Sequence, residues 1–309
     1  MDFIKCHGSG NDFILIDTTT SSSLLNVDWS AFARVACDRQ AGIGSDGILL
    51  VVKHDDAIYG MDMLNPDGTH AEMCGNGIRC VARLAAERGY ICSGILRSGG
   101  SVYPVKSAEP LADGIATFAV DIPISTSSRD FPFVVNEPFV GRRIESLDDE
   151  LLFTALNLGN PHIVAAVDSI SMDRLKALGE RVKVLKEVFP NGVNVSLYEC
   201  HTSRSIFVAT YERGAGITLS CGTAMTASAS AAALLGRVDV GERIEVCNRG
   251  GRVFCTTRLE PSIITRLEGN ATFDWYGRAE FDGKELSFER VKDTMEDALW
   301  RSHVESLNR

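Results

Sequence analysis

The sequence predicts an α+β protein that is built from two similar halves. Short apolar runs typical of buried strands alternate along the chain with a few longer segments of helical spacing. Two of these helical segments start with the same dipeptide, Cys74-Gly75 and Cys221-Gly222, and a glycine follows each predicted end. The two starts lie about half a chain length apart. So long a period indicates a duplicated unit, because solenoid repeats recur every ~20–50 residues.

Further residues fall into register when the two cysteines are aligned. Asn65 then lies over Glu212, and each opens a turn-like segment before its cysteine. Asn11 lies close to the position over Asn160, and alanines of the first helix lie over alanines of the second. The matched positions support the duplication of one unit.

The first half is predicted to form short strands interrupted by two helices. Residues 29–37 place apolar side chains at helical spacing after Asp28, a residue suited to the N-cap position. The second helix follows Cys74 and ends at Gly89, where glycine is a common C-terminal residue. The predicted strands are two within 3–16, then 47–52, 57–64, a hairpin over 94–107, and 114–122. The Pro- and Ser-rich residues 123–128 are predicted to form a linker.

The second half repeats this pattern with different lengths. A charged helix is predicted over 172–188, where apolar residues keep helical spacing, and another follows Cys221 and ends at Gly236. The predicted strands are 163–167, 193–198, 205–211, a hairpin over 245–255, then 262–267 and 271–276. The tail, 286–309, is charged and helix-prone.

Composition and charge exclude several classes of protein. The chain has 309 residues, enough for two domains, and its 45% hydrophobic content is that of a globular protein. A net charge of −10 opposes binding to nucleic acid or to an anionic membrane. No apolar run reaches the roughly 20 residues that span a bilayer, and residues 1–5 lack a signal-peptide pattern, so a cytoplasmic protein is expected. The nine cysteines include no Cys-x-x-Cys spacing, which predicts reduced thiols and no metal site.

Six segments together resemble the diaminopimelate epimerase family, whose members are cofactor-independent amino-acid epimerases. The segments are 7–13, 42–47, 65–80, 159–162, 190–195 and 211–223. The resemblance implies two domains of similar fold, each a mixed, mostly antiparallel sheet or barrel around a central helix, with the active site in the cleft between them. It also implies domains at 1–126, with the tail 281–309 packing on it, and at 127–280.

The resemblance places Cys74 and Cys221 on opposite sides of the substrate α-carbon as two catalytic bases. Two bases on opposite faces can remove a proton from one side and return one to the other without moving. A helix N-terminus also lowers the thiol pKa from about 8.5 toward neutrality. Backbone N–H groups at the same helix starts can bind a carboxylate, so no imine-forming cofactor is expected. These N–H groups belong to Gly75, Asn76, Gly222 and Thr223.

The resemblance implies further substrate-binding residues, position by position. They are Asn11, Asn65, Asn160, Asn194, Glu212 and Arg213. Arg213 is expected to clamp a distal carboxylate through a bidentate fork. His162 matches a family histidine near the cysteines, and a tuning role and a structural role both stay open. An asparagine beside a glycine is also ordinary turn chemistry, so the asparagines have that second interpretation.

The predicted function is the interconversion of LL- and meso-2,6-diaminopimelate in lysine and peptidoglycan-precursor biosynthesis, with a small-molecule substrate and no cofactor. Ile217 and Ala224 depart from the family pattern, which has Glu and Gly there. They leave open a racemase of another amino acid, such as histidine or a serine derivative. A proline-racemase-like enzyme fits less well, because Asn76 stands where that motif has a histidine.

Two functions of a different class are also compatible with parts of the sequence. One is a cysteine hydrolase that pairs Cys74 or Cys221 with His162, although it leaves the second cysteine motif unexplained. The second is an inactive binding module, in which the presence of both cysteines would be a coincidence. A homodimer is left open.

Overall fold

The computed structural model describes residues 1–54, 56, 58–71, 73–91, 94–127, 130–134 and 137–307. This part of the chain forms helices and strands in alternation. The helices are α1 Trp29–Ala36, α2 Gly75–Glu87, α3 Met172–Val184, α4 Gly222–Leu234 and α5 Glu296–Leu307. The strands are β1 Asp2–Gly8, β2 Asn11–Asp17, β3 Ile48–Lys53, β4 Tyr59–Leu64, β5 Ile95–Ser98, β6 Ser101–Ser107, β7 Thr117–Pro123, β8 Arg142–Ile144, β9 Asp148–Asn157, β10 Pro161–Ala166, β11 Asn194–Thr202, β12 Ser205–Glu212, β13 Gly216–Ile217, β14 Arg243–Asn248, β15 Gly251–Arg258, β16 Ile264–Asn270, β17 Thr272–Phe281 and β18 Leu286–Asp293.

The chain forms two compact units. Unit 1 comprises Met1–Val120 and Glu268–Arg309, and unit 2 comprises Asp121–Leu267. The predicted domains, 1–126 with the tail 281–309 and 127–280, differ from these units chiefly in residues 268–280, which lie in unit 1. The domain boundaries themselves stay a prediction.

In unit 1 a mixed sheet surrounds α2. The strands pair in the order β18-β17-β1-β2-β3-β4-β5-β6-β7. The pairs β2–β3 and β4–β5 are parallel and the others are antiparallel. Parallel neighbours need a crossover, which α1 and α2 supply. Because α2 contacts every strand from β1 to β6 and is buried from Gly75 to Ala85, it is the centre of this unit.

Unit 2 repeats this topology. Its strands pair in the order β8-β9-β10-β11-β12-β14-β15, and the short β13 adds to the end of β12. The pairs β10–β11 and β12–β14 are parallel, and α3 and α4 lie in the two crossovers. Helix α4 contacts β9 to β12, β14 and β15, and is buried from Gly222 to Ala233. The predicted α+β class with duplicated halves is confirmed.

Residue types explain why each central helix fits inside its sheet. In unit 1, Ile14 and Ile48 pack with Phe32 of α1, whereas Leu49 faces α2. Both faces of these strands are therefore covered, which is why they are continuously apolar. A Cβ atom on Gly77 would lie 2.8 Å from Leu49 Cδ2, so glycine lets the helix approach the sheet.

Small residues serve the same purpose in α4, and its hydroxyls need partners. Thr226, Ser228 and Ser230 are completely buried. Each hydroxyl donates to the carbonyl four residues earlier, at 2.7–2.8 Å. These bonds remove the cost of burying an unpaired hydroxyl, which is about 1–3 kcal/mol.

Some predicted bounds are wrong. The helix predicted over 172–188 ends at Val184, because Leu185 (φ −81°, ψ 58°) leaves helical geometry. In the segment predicted as a linker, Pro123 ends β7 and Ser125 forms a bridge with Asn157, so sheet pairing overrides the turn-like composition. Ser128 lies outside the described residues. Strands β8 and β9 have no counterpart among the predicted strands.

The tail is a strand before it is a helix. Residues 286–293, predicted as helix-prone, form β18 because they pair with β17. Helix α5 follows and belongs to unit 1, where Trp300 is 3% exposed. The Glu296 carboxylate accepts hydrogen bonds from both terminal nitrogens of Arg83, a residue of α2, at 2.5 and 2.7 Å. Among the described residues, no helix has the length and apolar character needed to cross a membrane.

Candidate active site

Cys74 is the N-cap residue of α2. Its backbone is extended (φ −135°, ψ 110°), and its sulfur accepts a hydrogen bond from Gly77 N–H at 3.3 Å. The thiol thus takes the place that a serine or aspartate oxygen has in ordinary caps. An N–H donor and a helix N-terminus both stabilise a thiolate. Because the residue is only partly buried, the site combines a reactive position with access.

Asn11 lies beside this sulfur. It is the first residue of β2 and follows a tight turn in which Gly10 has a φ of 79°. Its Oδ1 is 3.8 Å from Cys74 Sγ and accepts a hydrogen bond from Asn76 Nδ2 at 3.2 Å. On its other side, Asn11 Nδ2 donates to Asp46 Oδ2 at 2.7 Å. The fold thus joins three segments that are far apart in the sequence.

Cys221 has the corresponding place at the start of α4 (φ −129°, ψ 109°), but without a side-chain cap hydrogen bond. Its sulfur is 3.4 Å from Thr223 Oγ1. That hydroxyl accepts a hydrogen bond from Asn160 Nδ2 at 3.2 Å. Asn160 stands directly before β10, as Asn11 opens β2. In both units the asparagine that opens β2 or directly precedes β10 therefore bonds to the residue two positions after the cysteine.

The first two N–H groups of both helices are available to a ligand. Within the ranges that the structure describes, the N–H groups of Gly75, Asn76, Gly222 and Thr223 have no protein acceptor. An α-helix leaves its first N–H groups without intrahelical partners, and these groups attract anions. Each helix start thus offers a carboxylate-binding pair beside a thiol.

The Cys221 thiol is shielded from water. Cys221 is 8% exposed. Burial raises the pKa of its thiol well above the usual value, and the Glu212 carboxylate raises it further. The Thr223 hydroxyl and the Ala224 N–H oppose this shift without cancelling it. Cys221 is therefore a protonated thiol at neutral pH.

His162 supports the Asn160 side chain. It is completely buried in β10, and its Nε2 lies 3.0 Å from Asn160 Oδ1. Burial lowers the pKa of the imidazole to about 3, and the Arg213 charge contributes in the same direction. The ring is therefore neutral at neutral pH, with Nε2–H donating to Asn160. A chain of hydrogen bonds runs from this ring through Asn160 and Thr223 to Cys221.

The structure gives different surroundings to the remaining predicted residues. Asn65 lies in the turn after β4, where its Nδ2 donates to Thr69 Oγ1 at 3.0 Å. Asn194 opens β11, and its Oδ1 accepts the Arg213 N–H at 2.8 Å. Arg213 is exposed, and its Nη1 donates to Asn191 O at 3.1 Å. In unit 2, Asn194 Nδ2 lies 3.5 Å from His162 Nε2 and so joins the Arg213 region to the group around Cys221, whereas Asn65 is held within its own turn.

Two charged residues of the Cys74 site, Arg79 and Asp46, have no place among the predicted site residues. Arg79 is completely buried and donates to Asn76 Oδ1 at 3.1 Å and to Gly75 O at 2.9 Å. An arginine inside an apolar helix is a usable signal, because arginine is rarely buried without a specific partner. Asp46 lies in one of the six family-like segments, but only its contact with Asn11 gives it a role.

Among the described residues, the group of three or more side chains that could hold a metal ion is His7, Asp274 and Asp297. His7 Nδ1 accepts hydrogen bonds from Gly10 N–H at 3.3 Å and from Asn270 Nδ2 at 3.2 Å. The other ring nitrogen, Nε2, faces Asp297 at 3.5 Å and Asp274 at 3.7 Å. A metal-binding histidine donates from its other nitrogen. Because His7 Nδ1 accepts instead, the cluster lacks the hydrogen bond that orients a metal-bound histidine.

Sequence comparison decides the family. The family model for diaminopimelate epimerase matches residues 3–98 and 154–273. The chain belongs to the diaminopimelate epimerase family. A diaminopimelate epimerase from Clostridium acetobutylicum is 37% identical over 100% of this chain and 93% of the relative. One from Carboxydothermus hydrogenoformans is 36% identical over 82% of this chain and 91% of the relative. The predicted resemblance is confirmed.

Solved structures show how far the fold of this family extends. A probable proline racemase from Agrobacterium radiobacter aligns with a TM-score of 0.61 at 17% identity, over 91% of this chain and 93% of that one. A phenazine biosynthesis protein from Bacillus anthracis aligns with a TM-score of 0.61 at 14% identity, over 89% and 97%. At these identities the likeness concerns the fold alone.

The two departures from the family pattern, Ala224 and Ile217, differ in whether they can affect ligand binding. Ala224 is completely buried, and its backbone N–H lowers the pKa of the nearby Cys221 thiol. Alanine supplies this N–H as well as glycine does. Ile217 lies in β13 opposite Tyr211, and its side chain is 39% exposed. Of the two departures, the one at Ile217 is therefore able to change the surface that a ligand contacts.

Proposed function

We propose that this member of the diaminopimelate epimerase family interconverts LL- and meso-2,6-diaminopimelate, with Cys74 and Cys221 as its two bases and without a cofactor. The observation that carries the proposal is a half-site that occurs once in each unit. Each half-site combines an N-cap cysteine, an asparagine at the start of β2 or directly before β10, and two N–H groups at the start of a buried helix that have no acceptor among the described residues.

Each half-site supplies what proton transfer at an α-carbon requires. When the α-proton leaves, negative charge develops on the carbon and its carboxylate, and preorganised N–H donors stabilise that charge. A thiol can act as acid or base near neutral pH. One sulfur removes the proton while the other supplies one, and the roles reverse with the handedness of the substrate.

The surroundings of the two sulfurs support different protonation states in the protein without substrate. Cys221 is the acid, because burial and Glu212 raise the pKa of its thiol. Cys74 is proposed as the base of the pair, because Gly77 N–H donates to its sulfur at the start of α2 and makes its thiolate more accessible than that of Cys221. One direction of the reaction then starts with Cys74 as thiolate and Cys221 as thiol. The reverse direction starts after the two cysteines have exchanged these protonation states.

The polar cluster of unit 2 supports recognition of the second, non-reacting amino-acid group. The Arg213 guanidinium is exposed, and its backbone is fixed by Asn194. A planar guanidinium can hold a carboxylate through two parallel hydrogen bonds. Glu212 offers a negative charge for an ammonium group beside it. A substrate with two amino-acid ends would use both.

The test is incorporation of solvent deuterium at the α-carbon. Protein free of added cofactor is incubated with LL-diaminopimelate in heavy water, and loss of the α-proton signal is followed by NMR. Formation of the meso isomer is measured in the same sample by chiral chromatography. We expect both. If no amino acid loses its α-proton, the proposal is wrong. If histidine or an O-substituted serine reacts faster, the epimerase chemistry stands and the substrate changes.

A cysteine-hydrolase function is not supported by the geometry of unit 2. His162 is neutral, and among the described residues it is connected to Cys221 through Asn160 and Thr223, so it cannot form the imidazolium–thiolate pair that such enzymes use. A cytoplasmic location stays a prediction, and a homodimer stays open.

A further inference from the structure

The Cys74 site contains a chain of hydrogen bonds whose direction is fixed at both ends. Arg79 Nη2 donates to Asn76 Oδ1 at 3.1 Å, and Asn76 Nδ2 donates to Asn11 Oδ1 at 3.2 Å. Asn11 Nδ2 then donates to Asp46 Oδ2 at 2.7 Å. A guanidinium only donates and a carboxylate only accepts. Neither amide can therefore turn over without losing a hydrogen bond to its neighbour in the chain.

The arginine end of the chain is held inside unit 1. Arg79 is completely buried and also donates to Gly75 O at 2.9 Å and to Asn270 O at 3.2 Å. A Cβ atom on Gly8 would lie 2.9 Å from this guanidinium, and one on Gly269 would lie 2.8 Å from it. Two glycines thus make room for the arginine, and its hydrogen bonds to Gly75 O and Asn270 O hold the guanidinium beside Asn76.

The carboxylate end is held by its own partners. Asp46 Oδ1 accepts a hydrogen bond from Arg39 Nη2 at 2.7 Å, and Oδ2 also accepts the Asp12 N–H at 3.2 Å. Arg39 in turn donates to both oxygens of Asp12, at 2.7 and 3.2 Å. These contacts keep one oxygen of Asp46 directed at Asn11.

The direction of this chain of hydrogen bonds determines which atom of the Asn11 amide faces the Cys74 sulfur. Cys74 Sγ has an acceptor, Asn11 Oδ1, at 3.8 Å and a donor, Gly77 N–H, at 3.3 Å. The donor favours the thiolate, whereas the acceptor favours the thiol. In unit 2 the corresponding amide has the opposite direction, because Asn160 presents its Nδ2 to Thr223. The direction is thus set by local partners and not by the fold position.

We propose that Asp46 is a positioning residue, which acts through Asn11 to keep an oxygen acceptor at Cys74 and so favours the protonated form of that thiol. A base that must give its proton back needs both states to be accessible. This catalytic meaning rests on the proposed function, whereas the effect on the thiol does not.

Charged groups around this site require a control for through-space effects. Lys5, Asp12, Arg39 and Asp46 lie on the side of Asn11, and Arg79 lies on the side of α2. Removing the Asp46 charge would by itself favour a thiolate nearby. The hydrogen-bonded route and the direct charge effect therefore predict the same sign, and only a second substitution separates them.

The experiment measures the pH dependence of Cys74 alkylation by iodoacetamide in the full chain, without substrate, by peptide mass spectrometry. Asp46→Ala should lower the midpoint by about one pH unit, because Asn11 can then turn its NH₂ group toward the sulfur. Asp46→Asn retains an oxygen acceptor and should stay close to the wild-type midpoint. Alkylation of Cys221 in the same samples is the matched control and should not change.

The deciding comparison is a double-mutant cycle with Asn11→Ala. If Asp46 acts through Asn11, Asp46→Ala shifts the midpoint only when Asn11 is present. An equal shift in both backgrounds, or equal shifts for Asp46→Ala and Asp46→Asn, would overturn the proposal in favour of a direct charge effect. Asp46→Ser, whose side chain is too short to reach Asn11 in the same way, is the second removal variant if the alanine variant does not fold.

The activity assay separates this proposal from the proposed function. With diaminopimelate, Asp46→Ala should lower kcat for α-proton exchange and leave KM nearly unchanged, and Asp46→Asn should restore most of kcat. A midpoint shift in a protein whose wild type exchanges no α-proton would refute the epimerase function and keep the role of Asp46. If the wild type exchanges the α-proton but Asp46→Ala shows no midpoint shift, the epimerase function stands and the proposed role of Asp46 is refuted.

Discussion

Replacement of His162 by glutamine should flatten the pH dependence of the stability of unit 2. Burial lowers the pKa of His162 to about 3 in the folded protein, whereas a histidine in an unfolded chain titrates near pH 6.5. Below pH 6.5 the unfolded chain therefore binds a proton that the folded chain does not. This contribution to stability is complete above pH 6.5 and is lost as the pH falls toward 3. From pH 7 to pH 5 the loss is about 2 kcal/mol.

The measurement must report on the correct unit. Trp29, Trp275 and Trp300 all lie in unit 1, so tryptophan fluorescence reports on that unit alone. Hydrogen exchange in increasing urea, measured by mass spectrometry on peptides of β10 and β11, follows the unfolding of unit 2 instead. Glutamine has an amide that can donate to Asn160 as the imidazole does, but it does not titrate. The wild type should lose about 2 kcal/mol more than His162→Gln between pH 7 and pH 5.

A second histidine of unit 2 provides the matched control. The side chain of His201 is 54% exposed, and His201→Gln should retain the wild-type pH dependence. If His162→Gln and the wild type lose the same free energy of unfolding between these pH values, His162 is not held neutral by burial. The chain of hydrogen bonds from a neutral imidazole to Cys221 would then be wrong.

Three further outcomes are expected. Cys221→Ala should lower α-proton exchange and isomer formation by several powers of ten, and a variant with near wild-type rates would contradict the two-base mechanism. Arg213→Ala should lower kcat/KM for diaminopimelate by about tenfold or more, but should change little for an amino acid without a distal carboxylate. Trp300→Ala should destabilise unit 1 by about 3–5 kcal/mol, because the side chain is 3% exposed, and urea unfolding followed by the fluorescence of the remaining tryptophans measures this loss.

Local sequence patterns at the helix starts and ends were sufficient to predict the duplicated architecture. Helix α1 starts after Asp28, whose side chain accepts from Ala31 N–H at 2.9 Å, as the cap preference predicts. Helices α2 and α4 start at the two Cys-Gly pairs, and Gly89 and Gly236 follow their ends with φ of 72° and 64°. These features depend on residues within one or two turns of each other, so the sequence alone specifies them.

Pairing between distant segments decided the elements that were predicted wrongly. The charged residues 286–293 are not helical, because β17 offers them a strand partner. Ser125 is not part of a free linker, because Asn157 pairs with it. Sequence patterns carry little information about such partners, since a hydrogen-bonded neighbour can outweigh the propensity of a short segment.

The family, the two cysteines and the helix starts that carry them were predictable from the sequence, because these features depend on residue identity and short-range backbone geometry. The protonation states and hydrogen-bond directions at the site depend on contacts that form in the folded chain. Burial makes His162 neutral and keeps Cys221 protonated. Contacts between segments far apart in the chain place Asp46 and Arg79 at the two ends of the amide chain beside Cys74. Desolvation and the direction of a hydrogen bond depend on what surrounds a group in space, and that information is not contained in its neighbours along the chain.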